Sequence, residues 1–254
     1  MTLPQAVILG VVQGITEFFP ISSSGHLVII QGIFGIKGPQ LAFDIFLHLG
    51  TLVSILLYFH KDILNIIAKE RRTAFYIVLA SVPTFVIGMM FKDAAEELFT
   101  RPHLVGYMLL ATGLCLIIAA IYDKFKGAES PKKIGFINSI IIGVSQGIAV
   151  IPGISRSGAT IGAGILSGID KETAVKFSFL LAIPAILGAS LLKCGKIEAG
   201  LVSGDSLYFL AGSMTAMVTG LASIGILLKM VKTNKLYIFG IYCILAASIV
   251  ITQL

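Results

Sequence analysis

Polar side chains that could bind a phosphate lie in two short segments of an otherwise apolar sequence. The first segment, Pro20–Gly25, reads PISSSG, and the second, Pro152–Gly158, reads PGISRSG. Serine hydroxyls and the planar arginine fork both donate hydrogen bonds to phosphate oxygens. A helix that starts after such a segment adds free N–H groups and a favourable dipole. The sequence therefore predicts an anion site, with these candidate phosphate-binding residues: Ser22, Ser24, Ser155, Arg156, Ser157 and Thr160.

An acid, an amide and a histidine flank the first segment. Gln13 and Glu17 are four residues apart and so share one helical face, where their oxygens suit a hard cation such as Mg²⁺ or Ca²⁺. His26 is a histidine, and the imidazole group can both accept and donate a proton near neutral pH. Together with Ser23 and Arg156, Glu17 and His26 are the candidate catalytic residues.

Charged residues inside apolar segments need an explanation. Placing Glu17, Asp44 and Arg156 in a membrane would cost about 3 kcal/mol each on insertion scales. A purely structural Glu17–Arg156 ion pair is the simplest alternative to a functional site, but it leaves the serine clusters and His26 unexplained. Asp44 and His48 lie one helical turn apart. They either hydrogen-bond the residues that bind the substrate, and so hold them in place, or they line a path for water.

The composition identifies the elements that must position these residues. The chain has 254 residues, of which 56% are hydrophobic and 13% charged, and its mean hydropathy is +0.97. Soluble domains carry about 25% charged residues, so a cytosolic enzyme is excluded. Apolar stretches of membrane-spanning length occur at 41–60, 74–91, 103–122, 175–192, 206–228 and 236–254.

Two further apolar regions, 4–33 and 136–168, are interrupted by the serine-containing segments. Each leaves one arm of roughly 15 residues and one of about 10, and the shorter arm cannot cross a ~30 Å hydrocarbon core. A re-entrant hairpin, which enters and leaves on one side, fits better. Irregular backbone at membrane depth is tolerated where it is buried in protein or lines a cavity, so both breaks are candidate sites.

The two broken regions are copies of one another. A shift of 133 residues aligns Gly10–Gly25 with Gly143–Gly158, and nine of the sixteen positions are identical. The sequence predicts one all-α polytopic membrane domain, 1–254, with internal repeats at about 1–122 and 134–254. Each repeat holds one hairpin and three spans, an odd number, so the second repeat must be inverted in the bilayer.

The repeats differ in the residues that could do chemistry. Gln13 aligns with Gln146, whereas Glu17 aligns with Val150 and His26 with Ala159. Ser23 aligns with Arg156. The acid, metal and histidine functions therefore belong to the first copy, and the second copy supplies the cation.

Basic residues set the predicted orientation. Twelve of them fall on one face: Lys61, Lys69, Arg71, Arg72, Lys124, Lys126, Lys132, Lys133, Lys171, Lys229, Lys232 and Lys235. The other face has five: Lys37, Lys92, Arg101, Lys193 and Lys196. The richer face is predicted to be cytoplasmic, with both termini and the first hairpin on the outer side. The net charge of +6 then reflects topology rather than nucleic-acid binding.

Three motifs resemble the undecaprenyl-pyrophosphate phosphatase family, the bacterial bacitracin-resistance proteins. QGITEFFPISSSGH (Gln13–His26) matches the family's (E/Q)xxxE motif and the Ser-rich stretch after it. PGISRSGAT (Pro152–Thr160) matches PGxSRSGxT, and FDIFLHLGT (Phe43–Thr51) is the third match. The motifs are long and fall in both halves of the chain.

The resemblance implies an inner-membrane enzyme that removes the terminal phosphate of undecaprenyl pyrophosphate, recycling the lipid carrier of peptidoglycan synthesis and giving bacitracin resistance. It also implies a divalent cation and a site open to the outer side, while the lipid tail stays in the bilayer. Gln13 and Glu17 would hold metal or position water, and Ser23, His26 and Arg156 would bind phosphate or react. The nucleophile is His26, Ser23 or water. Position 13 lacks a carboxylate, which Asp44 would have to supply if two acids are needed.

Two alternatives concern the scaffold. An inverted repeat also suits a lipid-phosphate transporter or flippase. Gly212, Ala216 and Gly220 recur every four residues, a pattern that serves close helix packing within the chain or a homodimer.

Overall fold

The computed structural model describes residues 1–36, 40–98, 102–126, 133–194 and 206–253, and all regular structure in these ranges is helical. The predicted all-α class is confirmed. Four of the basic residues used for orientation, Lys37, Arg101, Lys132 and Lys196, lie outside these ranges, as does the side chain of Lys193. The helices are α1 Leu3–Thr16, α2 Ser23–Ile33, α3 Leu41–Tyr58, α4 His60–Ala68, α5 Arg71–Met90, α6 Lys92–Leu98, α7 Pro102–Phe125, α8 Phe136–Ile148, α9 Arg156–Leu166, α10 Lys171–Cys194, α11 Ser206–Lys232 and α12 Tyr237–Gln253.

Five helices in the described ranges, α3, α5, α7, α10 and α11, are long and apolar enough to cross a membrane. The sixth predicted span, 236–254, folds as the 17-residue helix α12. At 1.5 Å per residue α12 is about 25 Å long, near the lower limit for a crossing. Many large apolar side chains point outward from the spans, for example Val78, Phe85 and Leu191. The chain is a multi-pass membrane protein.

Both broken regions form the predicted pairs of short helices. The arms have 14 and 11 residues in the first region and 13 and 11 in the second. In the second break Gly153 has φ +91°, and a Cβ there would lie 2.5 Å from the Val105 carbonyl oxygen, so only glycine fits. In the first break Ser22 has φ 69°, which is strained for a residue with a Cβ.

Glycines let the long arm of each hairpin pack closely on a span from the other repeat. A Cβ at Gly10 would lie 2.5 Å from the Gly212 carbonyl oxygen, on α11. A Cβ at Gly143, the equivalent position in α8, would lie 2.2 Å from the Ala80 carbonyl oxygen, on α5. α5 and the first part of α11 occupy equivalent positions in the two aligned sequences. The long arm in each half of the chain therefore packs on the equivalent span of the other half.

The small-residue pattern on α11 serves packing within the chain. A Cβ at Gly14 would lie 2.6 Å from the Ala216 carbonyl oxygen, and one at Gly220 would lie 2.7 Å from the Phe18 ring. Phe18 in turn packs edge-on against Phe179 with 5.3 Å between ring centroids. The first break is therefore buried in the core, between α11 and α10.

Candidate functional site

Glu17 is the centre of the site. It directly follows α1 and is buried, with 7% of its surface exposed. Its Oε1 atom lies 2.6 Å from Nη2 of Arg156, the first residue of α9. The two breaks thus meet through one ion pair, the contact that the sequence analysis gives as the structural alternative.

The second oxygen of Glu17 joins three more predicted residues. Ser23 Oγ donates to Oε2 at 2.6 Å and Gln13 Nε2 donates at 3.2 Å. His48 Nε2 lies 3.8 Å from the same oxygen. One carboxylate therefore contacts Gln13, Ser23, His48 and Arg156, which come from both repeats.

The cluster keeps two polar atoms available for a ligand. Within the part of the chain that the structure describes, Gln13 Oε1 and Arg156 Nη1 are buried and lack a hydrogen-bond partner. A buried polar atom without a partner costs about 1–3 kcal/mol. Gln13 offers an acceptor and Arg156 a donor, so a phosphate with an associated cation would satisfy both.

His26 lies beside this cluster, on α2. Its Nδ1 is 2.8 Å from the main-chain oxygen of Ser22, and its Nε2 is 2.7 Å from the hydroxyl of Tyr242. A carbonyl only accepts, so Nδ1 carries the proton in this bond. In the neutral ring Nε2 is then the acceptor, and the Tyr242 hydroxyl donates to it. The bond to the Ser22 carbonyl therefore orients the imidazole, and Ser22 is also the residue of the break with a positive φ.

The serine clusters divide into different roles. Ser22 and Ser24 hydroxyls hydrogen-bond each other at 3.3 Å. Ser155 Oγ caps α9 by accepting from Gly158 N at 3.1 Å. Ser157 Oγ donates to the Phe19 carbonyl at 3.3 Å and so ties the second break to the first. These bonds shape the breaks, and phosphate binding by the same serines stays a prediction.

Two other predicted residues, Thr160 and Asp44, lie at the periphery of the cluster. Thr160 Oγ1 donates to the Arg156 carbonyl at 2.8 Å and lies 2.6 Å from Ser178 Oγ. Asp44 Oδ1 accepts from Gln31 Nε2 at 3.0 Å. His48 Nδ1 bonds the main-chain oxygen of Asp44 at 2.7 Å, which turns Nε2 toward Glu17.

Sequence reasoning missed two contributors, Tyr242 and Thr112. Thr112 Oγ1 on α7 accepts from Ser155 N at 3.1 Å and lies 3.3 Å from the Gly153 carbonyl, so it anchors the second break. No motif marks either residue. The available signal for Tyr242 was a phenol inside an apolar span, because a tyrosine hydroxyl that is out of water usually has a hydrogen-bond partner.

The donor set fits a divalent cation only with help from the substrate. Among the described residues no group of three or more His, Cys, Asp or Glu side chains is placed to hold a metal. Glu17 and the unpartnered Gln13 Oε1 offer hard oxygen ligands, as Mg²⁺ prefers. Mg²⁺ is often held by one or two carboxylates and completed by substrate phosphates, and that coordination is compatible with this site.

The fold and the site define a class: a multi-pass membrane protein whose buried charged site lies where two broken helices meet. The family model of the bacitracin resistance protein BacA matches residues 6–249. The chain belongs to this family, as the motifs predict.

Curated relatives agree with the family match over nearly full length. A protein of Desulforapulum autotrophicum, named undecaprenyl-diphosphatase, is 42% identical over 265 residues, covering 96% of this chain and 95% of its own. The same name applies to a protein of Carboxydothermus hydrogenoformans, 43% identical with 98% and 97% covered, and to one of Methanosphaera stadtmanae, 39% identical with 97% and 96% covered.

Proposed function

We propose that this chain hydrolyses undecaprenyl pyrophosphate to undecaprenyl phosphate and inorganic phosphate. Family membership over almost the whole chain carries the proposal, since the relatives are named for this reaction. The Glu17–Arg156 cluster supplies the chemistry that such a reaction needs. No observation favours a transporter or flippase on the same scaffold.

Arg156 binds the terminal phosphate in this proposal. Its Nη2 is held by Glu17, which fixes the guanidinium plane and leaves the buried Nη1 for a phosphate oxygen. Phosphoryl transfer depends mostly on positioning and on stabilising charge in the transition state. A guanidinium held by one bond and free at another is suited to that task.

Ser23 is the best-placed nucleophile. Its Oγ is already within hydrogen-bonding reach of a carboxylate, the arrangement expected of an activated hydroxyl. In the proposed step Ser23 Oγ attacks the terminal phosphorus and its proton passes to Glu17. The bond from phosphorus to the bridging oxygen breaks, so that undecaprenyl phosphate leaves. His26 Nε2 then takes a proton from water, and the water oxygen attacks the phosphorus of the phosphoserine. The bond from phosphorus to Ser23 Oγ breaks, Glu17 returns its proton to that oxygen, and inorganic phosphate leaves.

A rapid-quench experiment tests this assignment. Substrate carrying ³²P in the terminal phosphate should label Ser23 transiently in the wild-type enzyme, and Ser23→Ala should abolish labelling while Ser24→Ala keeps it. Label on His26 would move the nucleophile there. Turnover without a labelled protein would favour direct attack by water.

A divalent cation held by Glu17 and Gln13 is part of the proposal. When bound, it would neutralise phosphate charge and help to hold the pyrophosphate. Binding can be measured apart from activity, by isothermal titration of the detergent-solubilised protein with Mg²⁺ or Ca²⁺ and a non-hydrolysable pyrophosphate analogue. We expect heat in the wild type and none in Glu17→Gln.

In this proposal, part of the polyprenyl tail lies in an open apolar groove of about 470 Å³ between α3 and α11, lined by Phe46, Leu49, Val53, Ser206, Phe209, Leu210 and Ser213. α3 also carries His48, so one helix borders both this groove and the charged cluster. Leu49→Trp should fill the groove and raise KM for the C55 substrate more than for a C15 substrate. Leu57→Trp, on the exposed side of α3, is the control.

We place the repeats in inverted orientation, with the termini and first hairpin outside the cell. The loop charges support this topology, and so does the exchange of equivalent packing between repeats. In a cysteine-free background, Lys69→Cys should resist a membrane-impermeant maleimide in intact cells, whereas Asp93→Cys should react. The opposite pattern would reverse the orientation.

A further inference from the structure

One face of α12 is packed against the first hairpin beside the charged cluster. The Phe239 ring lies 5.0 Å from the Phe19 ring, and Cys243 Sγ lies 3.5 Å from the Pro20 carbonyl. Tyr242 lies between them in sequence and turns toward the same hairpin. Positions i, i+3 and i+4 share a helical face, so all three contacts come from one surface. The packing on either side fixes the Tyr242 backbone on α12 and directs its side chain toward the hairpin.

That hydroxyl bonds the reactive nitrogen of His26. The Tyr242 oxygen lies 2.7 Å from Nε2, and the two ring planes are only 16° apart. Nδ1 donates to the Ser22 carbonyl, so the neutral ring accepts at Nε2 and the phenol donates. His26 is therefore held at both nitrogens, by the break on one side and by α12 on the other.

The position of this bond is informative because Nε2 is the only ring nitrogen left for chemistry. A base must present Nε2 to water, and that water oxygen would occupy the place where the Tyr242 oxygen now lies. Tyr242 is 43% exposed, so its ring can turn aside without opening the core. The phenol thus orients the imidazole in the substrate-free enzyme. To act during turnover as well, its hydroxyl must bond the water that replaces it on Nε2, and its place beside Nε2 allows this.

We propose that Tyr242 is a positioning residue for His26, setting its tautomer and ring orientation in the substrate-free enzyme. The inference rests on the proposed function, because it assigns His26 a part in the reaction. Neither the motifs nor the repeat alignment points to Tyr242.

The first test separates binding from turnover. Tyr242→Phe keeps the ring and removes the hydroxyl, and it should lower kcat about fivefold to tenfold, the loss expected for one neutral hydrogen bond. KM should stay within about twofold, because the phenol acts on His26 and not on the substrate tail. Tyr237→Phe, at an exposed position of the same helix, should match the wild type in both constants.

The second test does not depend on activity. Diethyl pyrocarbonate modifies an imidazole nitrogen with a free lone pair, and mass spectrometry resolves His26 from the other histidines. Without the phenol, His26 should be modified several times faster in Tyr242→Phe than in the wild type or Tyr237→Phe.

The outcomes are distinguishable. Wild-type kcat or a wild-type modification rate in Tyr242→Phe would overturn the positioning role. If the wild-type protein releases no phosphate, the proposed function fails, while the modification rates still report whether Tyr242 covers Nε2. Lower kcat together with faster modification supports the proposal.

Discussion

The two hairpins share one backbone plan and differ in the side chains it carries. α2 and α9 both have 11 residues and begin at equivalent positions, Ser23 and Arg156. Both first residues reach the same carboxylate, each with a 2.6 Å contact to Glu17. The position equivalent to Glu17 holds Val150. Two matching helix starts thus meet at a single acid, which joins them into one site.

The glutamines show what that acid does to its surroundings. Gln13 Nε2 bonds Glu17, four residues later in the chain. Gln146, which has Val150 at the same spacing, instead bonds Thr84 Oγ1 through its Nε2 at 3.3 Å. Both amide oxygens lack partners within the described ranges. The same residue is part of the charged cluster in one copy and fastens two helices in the other.

Removing Glu17 should cause the largest loss of phosphate release, because the helix starts of both hairpins contact it. Glu17→Gln keeps the shape of the side chain but leaves the partly buried Arg156 without a counter-charge, which costs up to about 3–5 kcal/mol of folding free energy. We expect at least about a thousandfold loss of phosphate release. Cation binding should disappear with it, as titration calorimetry would show.

A double variant separates chemistry from structure. Glu17→Gln combined with Arg156→Gln removes both charges, so it should recover much of the thermal stability while staying inactive. If the double variant were stable and active, the ion pair would be purely structural.

Changing the cation without removing its charge should have a smaller effect. Arg156→Lys keeps a positive charge near Glu17 but loses the second donor of the fork, which we assign to phosphate. We expect about a tenfold to hundredfold drop in kcat/KM, measured by phosphate release. Lys176→Arg, at a distant ion pair with Asp62, is the control and should leave turnover unchanged. Full activity in Arg156→Lys would show that charge alone is enough.

The paired glutamines give a direct test of asymmetry. Gln13→Ala removes a donor to Glu17 and should lower kcat/KM about tenfold to hundredfold, because one hydrogen bond to a charged group contributes about 1.5–3 kcal/mol. Gln146→Ala, the matched variant in the second copy, should lower thermal stability without changing turnover of the folded enzyme. Equal losses of turnover would contradict the assignment of the chemistry to the first copy.

Loosening the second break should have the smallest effect. Thr112→Val leaves Ser155 N without its acceptor, at a cost of about 1–3 kcal/mol, and lets the start of α9 move. We expect a lower melting temperature and a few-fold drop in kcat. Thr215→Val is the control, because its hydroxyl bonds back to the Ala211 carbonyl of its own helix. A wild-type melting temperature in Thr112→Val would show that the anchor is dispensable.

Much of this arrangement could be predicted from sequence because its causes are local or repeated. Pro20 and Gly153 mark the breaks, and the shift of 133 residues aligns these two positions with each other. The cost of placing Glu17 and Arg156 inside apolar regions predicts that they pair, bind a ligand or face water. Each of these arguments needs only residue types and spacing.

The rest depends on contacts between distant elements. Tyr242 reaches His26 across 216 positions from a helix with no motif, and Thr112 reaches the second break from a span that reads as purely apolar. The bonding of Ser157 to the Phe19 carbonyl depends on how the breaks face each other. Such contacts follow from packing, which periodicity does not specify.

Phosphate release from undecaprenyl pyrophosphate tests the central claim most directly. Purified wild-type protein in detergent would be assayed with and without chelator, beside Arg156→Ala shown to be folded by size-exclusion chromatography and thermal melting. We predict cation-dependent release by the wild type and none above background in the variant. Near-normal turnover in Arg156→Ala would contradict a phosphate site shared between the two hairpins.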